Sequence, residues 1–260
     1  MQTAKQKLKR AAPWLFLLLV LAGLAAVRGL AANYEIGYEI MNGDFQNYNP
    51  VRHLLAGQVP YRDFTVYLGA GELYSVGGLL LVLGNSFGRS MFATNFCTWF
   101  YFELLVLAVC LVVIGTARAA RAAALALCSV FFAYVQGANL PFAGQVNTLL
   151  SYAAANGNSA RMMRSAALTL AVLVILLGLH FWQQDTSRRL LAPAVLVPFA
   201  AGFFVPWSND MGGAAYISIA LGYGLYLIRL YRSSIGKIVV QTLRYIVTSV
   251  VGLGVSVLLI

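Results

Sequence analysis

The sequence predicts an all-α protein, a polytopic transmembrane helical bundle of about 8–9 spans with a short interfacial helix in its first extracytoplasmic loop. Three observations lead there. The chain is 60% hydrophobic and only 10% charged over 260 residues, whereas soluble domains carry about 25% charged residues. Apolar segments of spanning length recur from end to end, and a lipid-embedded segment must be helical to satisfy its own backbone. Five of the eight acidic residues, Glu35, Glu39, Asp44, Asp63 and Glu72, crowd into residues 34–75, between two such segments.

Lys5, Lys7, Lys9 and Arg10 precede an apolar run, Ala11 to Val27, that resumes after Arg28. The length and the lack of a small-residue cleavage site favour a signal anchor with a cytoplasmic tail. Counting this one, spans are expected at 12–32, 68–84, 91–115, 122–137, 165–182, 190–206, 213–230 and 238–260, with 140–156 as a ninth crossing or a re-entrant piece. Together they make a single transmembrane domain over 1–260. With nine spans Arg188/Arg189 and Arg229/Arg232/Lys237 are cytoplasmic and Trp207 to Gly213 outside, but Arg118/Arg121 and Arg161/Arg164 then face out, against the positive-inside trend. Eight spans reverse the later loops, and both counts stay open. The last segment ends on Val-Ser-Val-Leu-Leu-Ile without a polar flank, so the chain is expected to be the N-terminal part of something longer.

The net charge of +10 is divided among short clusters between apolar runs. That is the pattern of loop flanks, not the continuous basic face that nucleic acid needs. Cys97, Cys110 and Cys128 fall inside apolar segments and are expected to pack as small residues without a disulfide or zinc site. Glu103 lies within the third span, where an acid implies a cavity or a partner. His180, beside Phe181 and Trp182, is expected at an interface.

The acidic loop contains its own helix signature. Asn49 suits an N-cap, Pro50 the first helical position and Gly57 a left-handed stop. Val51, Leu54 and Leu55 share one face, predicting a two-turn helix in the interface with its apolar side towards lipid. Pro60 then forces extended or turn geometry. The glycines of Gly69-Ala70-Gly71-Glu72 let backbone approach a ligand or a neighbouring helix closely.

Asp44 soon after the first span, "LLAGQVPYRDF" and "YLGAGELY" resemble the first extracytoplasmic loop of polyprenyl-phosphate-sugar-dependent glycosyltransferases, integral-membrane enzymes of the GT-C fold. The likeness covers residues 43–74, about an eighth of the chain. It implies a bacterial plasma-membrane enzyme that takes a polyprenyl-phosphate-linked sugar donor from among the membrane lipids. The sugar would pass to a glycan, lipid or protein acceptor. Position assigns Asp44 as catalytic base, accepting the proton of the attacking hydroxyl. The phosphate leaving group calls for positive charge from Arg52, Arg62 or a divalent cation. Tyr61, Asp63 and Glu72 complete the expected substrate-binding set. Many relatives carry two adjacent acids at the catalytic position or a Lys-Pro-Pro before the second span; here Gly43 and Phe45 flank Asp44, leaving donor sugar and metal dependence open.

Each residue has a plainer reading. Asp44 also suits a turn after Asn42-Gly43, Asp63 a local pair with Arg62, Arg52 an interfacial anchor and Glu72 a favourable helix start. His53 reads as a solvated polar-face residue. A second polar island, Val205 to Gly213, brings Asp210 as a further substrate or metal contact. In its plainer reading Pro206 closes one span, Ser208 or Asn209 caps the next and Trp207 anchors the interface. Two other functions compete with the transferase. A transporter or flippase would place charges and broken helices near the midplane; a non-catalytic assembly subunit would use the loop acids as surface polarity only.

Overall fold

A computed structural model describes residues 4–34, 42–115, 118–134, 192–209 and 211–260. The expected spans at 140–156 and 165–182, with His180 and the Arg161/Arg164 and Arg188/Arg189 pairs, lie outside the described residues, as does Asp210. Among the described residues all regular structure is helical, apart from an isolated bridge between Pro60 and Phe64. In chain order come α1 (Ala4–Tyr34), α2 (Asn42–Leu55), α3 (Ala70–Leu83), α4 (Phe87–Ile114) and α5 (Ala119–Tyr134). After a π-helical turn, Ala192–Leu196, follow α6 (Val197–Phe203), a 3-10 turn (Val205–Trp207), α7 (Gly212–Leu230) and α8 (Ile235–Leu259). Two of these helices, over Phe87–Leu111 and Ile235–Leu259, are long and apolar enough to cross a membrane.

The chain divides into two compact units, Met1–Phe45 with Val82–Met162 and Gln46–Leu81 with Met163–Ile260. In the first, α1 and α5 pack on α4. Leu17, Leu21 and Ala25 recur every four residues along α1 and are buried against Trp99, Phe102, Leu107 and Cys110 of α4. Ala122 and Ala126 of α5 close the same cluster. Ser86 caps α4 by accepting a hydrogen bond from the Arg89 N–H at 3.3 Å, satisfying one orphan donor of the first turn. Polar side chains of α4 point inward: Ser90, Thr94, Asn95, Thr98 and Glu103 are all buried. Asn95 and Thr98 return their donors to the carbonyls of Met91 and Thr94. The three cysteines are free thiols, Cys97 and Cys110 buried and Cys128 exposed.

In the second unit α6 lies on α8 so closely that two glycines are required. A Cβ on Gly202 would sit 1.8 Å from the Ser249 carbonyl oxygen, and one on Gly252 2.2 Å from that of Phe199. The buried residues of α8 are Tyr245, Ser249, Gly252 and Ser256, a seam of small and polar groups recurring every three to four residues. Its outer surface is aliphatic, with Val247, Val250, Val251, Val257, Leu258 and Leu259 exposed. Only 22% of the apolar window of α8 is buried. A helix that turns small residues inward and branched aliphatics outward is patterned for lipid, since close backbone approach and not hydrophobic burial holds such helices together.

Two sequence expectations need correction here. The helix of the acidic loop starts at Asn42, seven residues before the expected cap, so Asn49 and Pro50 lie inside it. Proline at that position forfeits one backbone bond while keeping a helical φ, which the surrounding turns tolerate. The apolar side of α2 also does not face lipid: Val51 is 1% exposed and lies, with Leu54, against Gly77 of α3.

Candidate functional site

The site region is built from the end of α2 to the start of α3. Helix α2 stops in a Schellman motif: the Gln58 N–H reaches the His53 carbonyl at 3.1 Å, the Gly57 N–H that of Leu54 at 2.9 Å, and Gly57 has φ +82°. His53, expected to be solvated, instead locks this end. Its ring stacks on Phe64 with centroids 5.2 Å apart, and Nδ1 meets the Gln58 side-chain oxygen. The fold-back that the motif produces leaves it half-buried. Arg52 stays exposed, its guanidinium carbon 5.7 Å from the centre of the Tyr48 ring, a cation–π distance.

Asp63 then closes the next turn. Its Oδ2 accepts the Val59 N–H at 2.8 Å, while its own N–H donates to the Val59 carbonyl at 2.9 Å. Arg62 grips both carboxylate oxygens side-on, Nε to Oδ1 and Nη2 to Oδ2, each at 2.9 Å. These bonds, the Arg62 pair first and the Val59 N–H second, hold the Asp63 carboxyl down at about 2. Tyr61, between Pro60 and this pair, adopts φ +61°, a left-handed conformation that is strained for a bulky residue. Its N–H donates to the Phe64 carbonyl at 2.9 Å. Its hydroxyl donates to Asn209 Oδ1 at 3.2 Å. Partial burial pushes the phenol up, against the lowering effect of that hydrogen bond.

Asn209 joins the two polar segments of the second unit. Besides accepting from Tyr61, its Nδ2 donates to the carbonyls of Val66 at 2.7 Å and Tyr67 at 3.0 Å. Expected as a helix cap, it is used instead as a staple. Ser208 Oγ accepts the Met211 N–H at 3.3 Å and closes the turn ahead of α7, which starts without a side-chain cap. The glycines beside the staple are there for contact: a Cβ on Gly69, whose φ is +102°, would meet Ser208 Cα at 2.6 Å, and one on Gly71 the Trp207 carbonyl at 2.8 Å. Trp207, half-buried, packs within this cluster. Its Nε1 donates to Ser256 Oγ at 2.9 Å and its ring meets Phe203, Phe204 and Tyr74.

Glu72, in the first turn of α3, is 3% exposed. It lies in a narrow cleft with Pro50, Val66, Tyr67, Leu68, Gly69 and Leu73, with room for about one water molecule. Asp44 is the third residue of α2; its side chain is outside the described part of the structure. Of the residues expected to form the site, the second unit thus brings together Tyr61, Arg62, Asp63 and Glu72 around 59–73, with Arg52 on the preceding helix. Asn209 and Ser208 are the members that the sequence offered only as helix caps in a turn. Among the described residues no three His, Cys, Asp or Glu side chains converge as a donor set for a cation. No protein-family model, curated protein or solved structure matches this chain.

Proposed function

We propose that the protein is a multi-pass membrane glycosyltransferase that transfers a sugar from a polyprenyl-phosphate donor to an acceptor hydroxyl outside the cytoplasm. The observation that carries this reading is the stapling of the acidic loop. A mere connection between helices has no use for a strained tyrosine, a bidentate ion pair and an asparagine drawn from the far part of the chain. Loops held this way are where recognition and catalysis concentrate.

In this mechanism the acceptor oxygen attacks the anomeric carbon, the carbon–oxygen bond to the lipid phosphate breaks, and the hydroxyl proton passes to the Asp44 carboxylate. The departing phosphate is already a stable anion and needs no protonation, only cationic stabilisation. Arg52 supplies that charge. Arg62 and Asp63 hold the turn that presents Tyr61 to the substrate, and Glu72 and Asp210 complete the binding set.

The test is transfer of radiolabelled sugar from polyprenyl-phosphate donors in proteoliposomes. Asp44→Asn is expected to lower the rate by about 10²–10⁴-fold, the usual worth of a general base, with the fold intact by circular dichroism. Full transfer by that variant removes Asp44 from the chemistry. Movement of solute or lipid without any donor assigns the chain to transport instead.

A further inference from the structure

The end of the second unit opposite the stapled loop carries a different pattern. Trp207 meets Ser256 near the last turns of α8, so the loop lies at that end of the helix. Ile235, where α8 begins, is about 30 Å away along the axis. Around that far end stand Arg229, Arg232, Lys237 and Arg244, and among the described residues none of them pairs with a carboxylate. The described acids of this unit, Asp63 and Glu72, belong to the loop end.

Two features make this more than a basic flank. Tyr231, Gly236, Lys237, Val240 and Gln241 line an open cleft between the α7–α8 turn and the first turns of α8. At its mouth the Lys237 ammonium sits 5.9 Å from the centre of the Tyr231 ring. Lys237, Gln241 and Arg244 then follow at i, i+4 and i+7, one face of the helix. Arg244 is thereby carried about 10 Å deeper than Lys237 into a helix of spanning length. A cation at that depth is costly unless it reaches the interface or meets an anion. Around it Val239, Val240 and Leu243 are exposed, offering an apolar bed beside the charges.

The geometry points to a binding site for one anionic phospholipid, its phosphate between Lys237 and Arg244 and its acyl chain along Val240 and Leu243, in the leaflet opposite the stapled loop. Charge complementarity selects the headgroup: an arginine fork takes phosphate oxygens in pairs, and basic pockets on the cytoplasmic side bind anionic headgroups. The exposed aliphatics select a lipid over a soluble phosphate. In the nine-span topology its basic residues put this end in the cytoplasm, where anionic lipid is available. The site is independent of the transferase reading.

Native mass spectrometry of the full chain, released from micelles holding equimolar phosphatidylglycerol and phosphatidylcholine, tests it. The wild type is expected to retain one phosphatidylglycerol in preference to phosphatidylcholine. Removing a cation should cut that preference about fivefold, and Lys237→Gln with Arg244→Gln roughly thirtyfold. Arg244→Lys should fall between, and Arg118→Gln with Arg121→Gln in the first unit should leave the ratio unchanged. If the double variant does not fold, Lys237→Gln alone, at an exposed position, reads the same ratio. Equal retention of the two lipids, an unchanged ratio in Lys237→Gln, displacement by inorganic phosphate, or a second protein copy in place of the lipid each overturns the site.

Discussion

Asn209→Ala is expected to free the 59–68 loop while leaving the helices folded. The side chain makes three bonds to that loop, two as donor at 2.7 and 3.0 Å and one as acceptor at 3.2 Å. Its orientation is fixed by chemistry, because carbonyl oxygens accept only, so the amide nitrogen must face Val66 and Tyr67. A neutral hydrogen bond contributes a net ~1 kcal/mol. Asn209 is exposed, so water replaces part of the loss, and about 1–2 kcal/mol for the three is the working figure. That corresponds to opening about 5–30 times more often. Hydrogen–deuterium exchange in nanodiscs reads it directly. Peptides over 59–69 should exchange faster by that factor, and peptides of α8 should not change. Asn209→Asp is the sharper variant. It keeps the acceptor for Tyr61 but sets a carboxylate against two carbonyl oxygens, so it should open the loop at least as much as alanine. Tyr61→Phe removes a single bond and should do least. A loop unchanged in Asn209→Ala, or Tyr61→Phe as disruptive as Asn209→Asp, would falsify the staple.

The remaining predictions concern charge and packing. Asp63 has its folded value lowered to about 2 from an ordinary 3.8, so its contribution to the loop is complete above the ordinary value. It is lost as pH falls through about 2. A carboxyl ¹³C titration should show that low midpoint, and Arg62→Gln should move it up towards 3.8. Gly252→Ala drives a Cβ to 2.2 Å from the Phe199 carbonyl oxygen and should cost ~1–3 kcal/mol, as overpacking does, seen as earlier thermal unfolding in detergent. Gly254→Ala, on the same helix with nothing within 4 Å, should be neutral or stabilising by up to ~1 kcal/mol. If both alanines behave alike, close approach of α6 and α8 is not what requires the glycine.

What was legible in the sequence follows from what each signal encodes. An apolar run reports helix and approximate length, so α4 and α8 fall close to the expected 91–115 and 238–260. Asn49-Pro50 carries an N-terminal signature that is the same whether a helix starts there or passes through, which is why the start at Asn42 was not visible. The face shared by Val51 and Leu54 showed which side of α2 is apolar, but not that Gly77 of α3 would meet it in place of lipid. The Gly69-Ala70-Gly71 run did announce a close approach, and the partner is the Trp207–Ser208 backbone. Asn209 could be read only as a turn or cap residue, because its partners at Val66 and Tyr67 are set by tertiary folding.

Under the glycosyltransferase proposal the two loop arginines cannot be equivalent, although sequence position alone treats them alike. For Arg62 to take a phosphate it must release the two 2.9 Å bonds to Asp63. The carboxylate left behind would lie beside the incoming anion while still tied to Val59, so like charges would oppose binding. Arg52 has no such debt. Its guanidinium is exposed over Tyr48, and it stands in the last turn of α2, where the helix carbonyls already favour a cation. A phosphate can add to its outer edge while the ring keeps the inner face. Arg52 is therefore the arginine positioned to meet the donor, and Arg62 the one that keeps the turn in shape to receive it.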